Sequence, residues 1–354
     1  MPLPEVLRKL LTAAGPSGYE NAPAAVFAEA ARAFTDDVSV DVMGSVVGRV
    51  AGTVPRAPLL AVVGHIDEIG LIVTHIDDDG FLRFTGVGGW DAQVLIGQRV
   101  ELATKAGPLA GVVGRKAVHL LREEDRKRVP ELRELHIDIG AKSGEEARAK
   151  VRIGDVAVLA GEPLELANDR FVSRSMDNRL GAFIALEAAR LVAEAGGAPG
   201  AVAACGVVQE EITMAGARTS AYSLEPDVAI VVDVTHETGS PGVEVTEIGA
   251  HRFGEGPVIN RGSTINPAVF ERLYETATRE QIPFTVAASA RATGTDADAV
   301  HLSRAGVATG IVSIALRYMH SPVEMVQLDD IAACARLIAA FAQSLGADTS
   351  FARA

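Results

Sequence analysis

Four short apolar runs without polar alternation are the feature that most restricts the possible folds of this chain. They are Leu59–Val63, Ala201–Val208, Val228–Val232 and Gly310–Leu316, each bounded by turn-forming or polar residues. A strand with one solvated face alternates apolar and polar residues, whereas a strand covered on both faces is apolar throughout. The runs therefore predict strands inside a sheet that has helices on both of its faces.

Helical patterns separate these predicted strands. The segments Leu180–Ala195 and Leu328–Ser344 are rich in Ala, Leu, Ile and Phe, as expected of helices that cover a sheet. Shorter helices are predicted near the start of the chain, over Pro4–Ala14 and Pro23–Phe34. Strands that alternate with helices indicate an α/β domain with three layers, a sheet between two sets of helices.

The stretch over residues 68–162 follows a different pattern. Short candidate strands, GLIVTHI, FLRFTGV, QRVELAT and LAGVVG, are separated there by turns such as DDDG and KAG. This spacing predicts a small β-rich unit, a barrel or a sandwich. We therefore expect a first domain in two parts, residues 1–67 and 163–354, with the β-rich unit inserted between them. The charged run over residues 121–136 predicts a solvated loop, with a partner contact as the alternative.

Composition excludes some functions and suggests a compartment. The chain has 33 Lys and Arg against 46 Asp and Glu, so its net charge of -13 offers neither nucleic acid nor an anionic membrane a basic surface. Its two cysteines cannot form a disulfide scaffold. Charged residues interrupt the N-terminal apolar segment, and no window reaches the roughly 20 apolar residues of a membrane span. We expect a cytoplasmic protein.

Acidic residues and histidines cluster at the ends of all four predicted strands. Ligands of open α/β sheets bind beyond the carboxyl ends of the strands, and acids are rarely buried without a partner. We therefore expect these side chains to form one site. In strand order they are His65 and Asp67, then Glu210 and Glu211, then Asp233, and finally His320.

Asp177, in the segment SRSMDNRLG, is a further candidate that immediately precedes a predicted helix. The alternative is an aspartate that caps this helix. With Asp177 included, two imidazoles and three carboxylates suit Zn²⁺, Co²⁺ or Mn²⁺ better than Ca²⁺. Charge balance favours two ions, which together can polarise a carbonyl and generate a nucleophile. The expected ligands are His65, Asp177, Glu211, Asp233 and His320, with Asp177 as the bridging group.

Glu210 and Asp67 are the candidates for proton chemistry and support. Adjacent side chains at a strand end point in different directions, so Glu211 can be a ligand while Glu210 acts as general acid and base. A solvated surface pair is the alternative for this doublet. A metal-bound histidine usually donates its other N–H to a carboxylate, a role that suits Asp67 beside His65. An ordinary turn aspartate is the alternative for Asp67. For Glu68 we expect no special role.

The other histidines are weaker candidates. We expect surface or satisfied core positions for five of them and leave His236, three residues after Asp233, open. The five are His75, His119, His136, His251 and His301. The glycine-rich GVGGWD segment is not expected to bind phosphate, because it does not join a strand to a helix.

Eight motifs in order along the chain carry a resemblance to a known family: LLTAAGPSGYE, GHIDEIG, SRSMDNRLG, VVQEEITMAGA, VVDVTH, GPVINRGS, GTDAD and RYMHSPVE. The chain resembles the tetrahedral aminopeptidases, or glutamyl aminopeptidase family, which are dinuclear metallopeptidases; several members carry a cellulase label. The resemblance implies a catalytic α/β domain with an inserted PDZ-like dimerisation domain. It also implies a dodecamer built from dimers.

The resemblance further implies a role for each site residue. His65 and Asp233 would hold one metal ion, Glu211 and His320 a second, and Asp177 would bridge the two. Glu210 would be the catalytic glutamate and Asp67 its supporting aspartate. The peptide bond between Asp177 and Asn178 would be cis.

We therefore expect a metal-dependent aminopeptidase that trims short peptides. Two divalent ions per subunit, Zn, Co or Mn, would share a bridging water that Glu210 activates. One alternative is another hydrolase with the same dinuclear site, such as an N-acyl amino-acid deacylase or a glycosidase. The other is a non-catalytic peptide-binding scaffold, which predicts a missing ligand or base.

Overall fold

The computed structural model describes residues 2–352, and these residues build a layered α/β body and a β-barrel. Met1 of the predicted segment 1–67 and the last two residues of the predicted segment 163–354 lie outside the described part of the chain. The predicted class, an α/β domain that carries a small β-rich unit, is confirmed.

The strands of residues 2–352 form a large sheet, a small sheet and a closed barrel. The large sheet has the order β1-β2-β12-β3-β13-β16-β14-β15, the small sheet is β10-β11-β17, and the barrel is β4-β5-β8-β7-β6-β9. In chain order the strands are β1 (Val38–Val40), β2 (Val46–Val50), β3 (Leu60–His65), β4 (Gly70–Ile76), β5 (Leu82–Val87), β6 (Arg99–Thr104), β7 (Gly107–Gly114), β8 (His136–Asp138), β9 (Val156–Leu159), β10 (Leu164–Leu166), β11 (Arg170–Ser173), β12 (Val202–Val207), β13 (Val228–His236), β14 (Val258–Gly262), β15 (Thr285–Ser289), β16 (Ala308–Leu316) and β17 (Glu324–Gln327).

Helices cover both faces of the large sheet. In chain order they are α1 (Glu5–Thr12), α2 (Asn21–Arg32), α3 (Ala92–Leu95), α4 (Glu123–Arg126), α5 (Gly144–Lys150), α6 (Met176–Glu194), α7 (Glu210–Thr213), α8 (Ala215–Leu224), α9 (Val245–Ile248), α10 (Pro267–Arg279), α11 (Ala297–Val300) and α12 (Leu328–Gln343). The group α1, α2, α6, α10 and α12 packs on one face, while α8 and α11 pack together on the other. No helix in the described residues is long and apolar enough to span a membrane.

The centre of the large sheet consists of the four predicted strands. β12, β3, β13 and β16 run parallel, and every residue of β3 and β12 is buried. Two of these strands extend further than predicted: β3 includes His65, and β13 does not end before Asp233. It continues to His236 because it stays paired with β16 over its whole length, so Asp233 lies inside the strand.

The barrel lies wholly within the predicted insertion of residues 68–162. Its six strands run from Gly70 to Leu159 and enclose their own apolar core, which includes Leu71, Leu82 and Leu102. A separate core of this kind is typical of a unit that packs as a body of its own. The division of the chain at 67/68 and 162/163 remains a prediction.

The charged run over residues 121–136, predicted as a solvated loop, contains short helical turns. Its charged side chains are largely exposed, but it contains α4 and a 3₁₀ turn over Leu132–Glu134. An ion pair one helical turn apart, between Glu123 and Lys127 at 3.1 Å, supports α4. The segment is therefore partly helical, while its charged side chains remain exposed to solvent.

The contact between β3 and α6 allows no side chain at Gly64. A Cβ atom there would lie 2.3 Å from the Gly181 carbonyl carbon and 2.4 Å from the Ala182 nitrogen. We expect Gly64→Ala to lower the free energy of unfolding by about 2–3 kcal/mol, because backbone atoms cannot move aside as a flexible side chain can. Urea unfolding measures the change. Gly161→Ala is the control, since no atom would lie within 4 Å of its Cβ; equal stability of the two variants would contradict the close packing of α6 on β3.

Candidate metal centre

A cavity of about 660 Å³ opens at the carboxyl edge of the large sheet. This is the place where parallel α/β sheets bind ligands. The cavity is lined by six of the predicted site residues, namely His65, Asp177, Glu210, Glu211, Asp233 and His320. The structure therefore brings together side chains that are separated by up to 255 positions in the sequence.

Each site residue takes its place from a secondary-structure element. His65 is the last residue of β3, and Asp233 lies in the second half of β13. Glu210 and Glu211 begin α7, which follows β12 through Gln209 in the left-handed backbone region. Because the strands are parallel neighbours, these side chains lie together at the carboxyl edge of the large sheet.

Asp177 and His320 reach the cavity from outside the sheet. Asp177 lies at the start of α6, and its peptide bond to Asn178 is cis, as the resemblance implied. The side chain of Asp177 faces two histidines, so the helix-capping alternative for this residue is not supported. His320 lies in the loop that follows β16.

Two groups of possible metal ligands share the Asp177 carboxylate. One group is His65, Asp177 and Asp233, and the other is Asp177, Glu211 and His320; within each group the ligand atoms lie within 4.8 Å of one another. Asp177 Oδ1 is 3.3 Å from His65 Nε2, and Asp177 Oδ2 is 3.4 Å from His320 Nε2. The two oxygens of one carboxylate therefore face two different ligand groups, which is the arrangement that a bridging ligand requires.

The electrostatics of these groups fit a bound cation. Burial, together with the nearby charge of Asp177, raises the pKa of Asp233 well above its ordinary value and also raises the pKa of Glu211. Oε1 of Glu211 is buried and has no hydrogen-bond partner among the described residues. Divalent ions would remove this mutual repulsion, and a mixed imidazole and carboxylate donor set suits Zn²⁺, Co²⁺ or Mn²⁺.

Glu210 stands beside the ligand groups without belonging to either. Its Oε2 lies 3.7 Å from His65 Nε2, and burial raises the pKa of Glu210 to about 7. Glu211 faces His320 instead, with 3.5 Å between Oε2 and Nε2. The expected divergence of this pair is present, but its cause is the rotation of about 100° per residue in α7, not strand alternation.

Asp67 contacts both His65 and the start of α7. It is fully buried, and its Oδ1 lies 3.3 Å from Nδ1 of His65, so the Nε2 atom faces the cavity. Its carboxylate also accepts hydrogen bonds from Ser17 Oγ at 2.6 Å and from the backbone N–H groups of Glu210 and Glu211 at 3.1 and 3.2 Å. Asp67 therefore orients one possible ligand and anchors the helix that carries another.

Sequence reasoning missed Glu324, which positions two site residues through their backbone. This buried carboxylate accepts hydrogen bonds from the N–H groups of Asp177 at 3.1 Å and His320 at 2.8 Å. Nδ1 of His320 lies 3.0 Å from the carbonyl oxygen of Gly89, in the GVGGWD segment of the barrel. The acid in RYMHSPVE was the available signal for Glu324, whereas nothing in the sequence linked Gly89 to the site.

The prediction that Glu68 has no special role is wrong. Glu68 is buried and forms ion pairs with Arg174 and with Arg179, the latter at 3.3 Å. Arg179 also donates hydrogen bonds to the carbonyl oxygens of Leu10 and Ala13. This network fastens the end of α1 to the start of α6, and it thereby supports the segment that carries Asp177.

The weaker histidines stay outside both ligand groups of the described residues. His75 and His119 are exposed, whereas His136 and His301 are partly exposed. His251 is buried, with Nδ1 2.8 Å from Thr285 Oγ1, but its Nε2 has no hydrogen-bond partner among the described residues, so it is a core histidine that is only half satisfied. His236, which was left open, is an exposed residue on the wall of the cavity.

Known proteins of similar sequence and structure identify the family of this chain. The family model described as M42 glutamyl aminopeptidase matches residues 44–337. This chain belongs to the M42 glutamyl aminopeptidase family. It is therefore a peptide hydrolase of a metal-dependent family, and the resemblance seen in its motifs is confirmed.

Three similar proteins illustrate the relationship. The lysyl aminopeptidase of Pyrococcus furiosus is 35% identical over 346 residues, which cover 96% of this chain and 97% of that protein. The structure of a TET aminopeptidase from the archaeon Thaumarchaeota archaeon SCGC AB-539-E09 has a TM-score of 0.91 at 34% identity, covering 97% of this chain and 96% of that one. A Pyrococcus horikoshii TET1 peptidase can assemble into a tetrahedron or a large octahedral shell. Its structure has a TM-score of 0.84 at 31% identity, covering 96% of this chain and 99% of that one.

Removing one imidazole tests the assignment of the ligands. We expect His65→Ala to bind less metal than the unmodified chain, because one of the two ligand groups loses its only nitrogen donor. Elemental analysis after dialysis measures the metal content per chain. The exposed His119→Ala is the matched control and should keep the full content. Equal metal content in the two variants would refute the role given to His65.

Proposed function

We propose that this chain is a dinuclear metalloaminopeptidase that releases N-terminal residues from short peptides. The observation that carries the proposal is the shared Asp177 carboxylate between two histidines, with Glu210 beside one of them, His65. The membership of the M42 family and the aminopeptidase relatives support the same conclusion. No expected ligand or base is missing from the cavity, which disfavours a non-catalytic scaffold.

The proposed ligand sets follow the two groups. His65 and Asp233 would hold one ion, Glu211 and His320 the other, and Asp177 both. When bound, two divalent ions of Zn, Co or Mn would polarise the scissile carbonyl and lower the pKa of the attacking water.

Glu210 would move the proton. Its carboxylate accepts a proton from the attacking water, and the resulting hydroxide forms the new bond to the scissile carbon. Glu210 then gives this proton to the nitrogen of the leaving amine as the C–N bond breaks. A pKa near neutrality suits a group that must both accept and donate a proton, and burial provides it here. Asp67 positions Glu210 by accepting its backbone N–H.

We also propose a homo-oligomer, a tetrahedral dodecamer built from dimers, with contacts from the inserted barrel. The relative from Pyrococcus horikoshii, which can form a tetrahedron, supports this assembly. The lack of a disulfide scaffold supports a cytoplasmic location. The domain division at 67/68 and 162/163 is part of the same proposal and is supported by the barrel between them.

Replacing the proposed base separates catalysis from metal binding. We expect Glu210→Gln to keep its fold and metal content but to lose activity by about 10²–10⁴-fold, because an amide cannot accept the proton. Steady-state kinetics on a free peptide and elemental analysis provide the two measurements. Glu275→Gln, on the exposed surface of α10, is the control and should retain full activity. A fully active Glu210→Gln enzyme would rule out this mechanism.

Chelation followed by metal addition tests the reaction class. We expect chelation to abolish hydrolysis and Zn²⁺, Co²⁺ or Mn²⁺ to restore it, because the carboxylates of the site require compensating charge. The assay compares free peptides with their N-acetylated counterparts. Preference for the acetylated peptides would move the reaction to deacylation, and failure of every substrate with every metal would favour the scaffold.

A further inference from the structure

We propose that the cavity selects neutral, aliphatic N-terminal side chains, discriminates against acidic side chains and does not use the terminal carboxylate of a short peptide for binding. This proposal rests on the proposed aminopeptidase function and adds its substrate class. The observation behind it is the composition of the cavity wall outside the metal ligands and Glu210. Among the described residues of this wall there is no Arg, Lys, Asp or Glu.

The wall is built from apolar side chains and hydroxyl groups. Ile212, Met214, Val234 and Met319 provide apolar surface, and four threonines and a glycine complete the wall together with His236. Apolar surface stabilises a bound aliphatic side chain in proportion to the area removed from water. Methionine side chains adapt their shape to irregular partners, so both leucine and methionine substrates should fit.

An acidic side chain would find no compensating charge in this cavity. Two divalent ions carry four positive charges, and Asp177, Glu211, Asp233 and Glu210 can supply four negative charges. No surplus positive charge then remains for another carboxylate. Its transfer out of water would be unfavourable, because a buried charge without a partner loses its hydration. Among residues 2–352, His236 is the only further imidazole on the wall, and it is exposed to solvent.

Among the described residues, a basic side chain also finds no acid on the cavity wall outside the site residues. Two acids follow the threonine-rich wall segment: Asp296, which is fully buried and does not line the cavity, and Asp298, whose carboxylate is already engaged. It accepts hydrogen bonds from the N–H groups of Thr293 at 2.9 Å and Gly294 at 2.8 Å, and from Thr293 Oγ1 at 2.9 Å. These bonds hold the wall in a formed loop and leave the acid with little capacity to pair with a lysine substrate.

Family membership does not decide this question. The family model is described by a glutamyl activity, whereas the Pyrococcus furiosus relative is a lysyl aminopeptidase. These names correspond to side chains of opposite charge on a shared fold. Selectivity must therefore come from the wall residues of each chain, and here they are neutral.

The test compares substrates that differ only in charge. The rate constant kcat/KM is measured for the p-nitroanilides of Leu, Met, Gln, Glu and Lys with the metal-loaded enzyme. We expect Leu and Met to exceed Glu and Lys by about tenfold or more, and Gln to exceed its isostere Glu by about tenfold. Leu-Gly-Gly and its C-terminal amide should be hydrolysed within about twofold of each other, since no wall cation would bind the terminal carboxylate.

The possible results separate this proposal from the proposed function. A Glu substrate hydrolysed as well as Gln, or a clear preference for the free peptide over its amide, overturns the selectivity while the aminopeptidase function stands. Failure of all free substrates with Zn²⁺, Co²⁺ and Mn²⁺ overturns both. Calorimetric titration with leucine, glutamine and glutamate measures binding independently of turnover, and it should show the weakest binding for glutamate.

A positive charge added to the cavity wall should shift the preference from glutamine towards glutamate substrates. Ile212 is 48% exposed on the wall, so Ile212→Arg places a guanidinium there with little disturbance of packing. We expect it to reduce the Gln-to-Glu ratio of kcat/KM by about fivefold, with a smaller effect at high salt. Ile212→Gln, of similar length without charge, should leave the ratio unchanged. Thr213→Arg, also exposed on the wall, is the second variant; unchanged ratios in both arginine variants would overturn the proposal.

Discussion

Carboxylates buried together at one edge of the sheet are the constraint on which the rest of this structure depends. Asp67, Asp177 and Asp233 are each less than a tenth exposed, and Glu210 and Glu211 stand beside them. Like charges in a poorly hydrated site repel strongly unless hydrogen bonds or cations compensate them. The structure compensates Asp67 with one histidine, one hydroxyl and two backbone amides. The other four carboxylates are left for the proposed ions and for proton transfer.

The surrounding scaffold holds these charges in place from three directions. Glu324 accepts hydrogen bonds from the backbone N–H groups of Asp177 and His320. Glu68, through its two arginine partners, links α6 to the N-terminal helix. The barrel contributes the Gly89 carbonyl oxygen that faces His320. Supporting contacts of this kind decide the orientation of an imidazole, and therefore which nitrogen faces a metal. The inserted unit is thus part of the support of the site.

The outline of the site could be predicted because its residues follow buried strands. Strands that are apolar throughout must lie inside a covered sheet, and parallel strands end at the same edge, so His65, Glu210 and His320 could be placed together before any coordinates. The errors concern local geometry. Asp233 was expected beyond its strand, since an apolar run cannot reveal that pairing with β16 continues through polar residues. Glu68 was expected to have no special role because its two arginine partners lie more than 100 positions away.

The sequence by itself determined the α/β class, the family and the types of donor atom available, because apolar periodicity and short motifs are local properties of the chain. Only the tertiary structure decided that the two oxygens of Asp177 face different histidines and that, among the described residues, the wall of the cavity bears no fixed charge outside the site residues. Both features depend on distances between segments far apart in the chain. Packing of the sheet, the helices and the barrel sets those distances, and no local pattern encodes them.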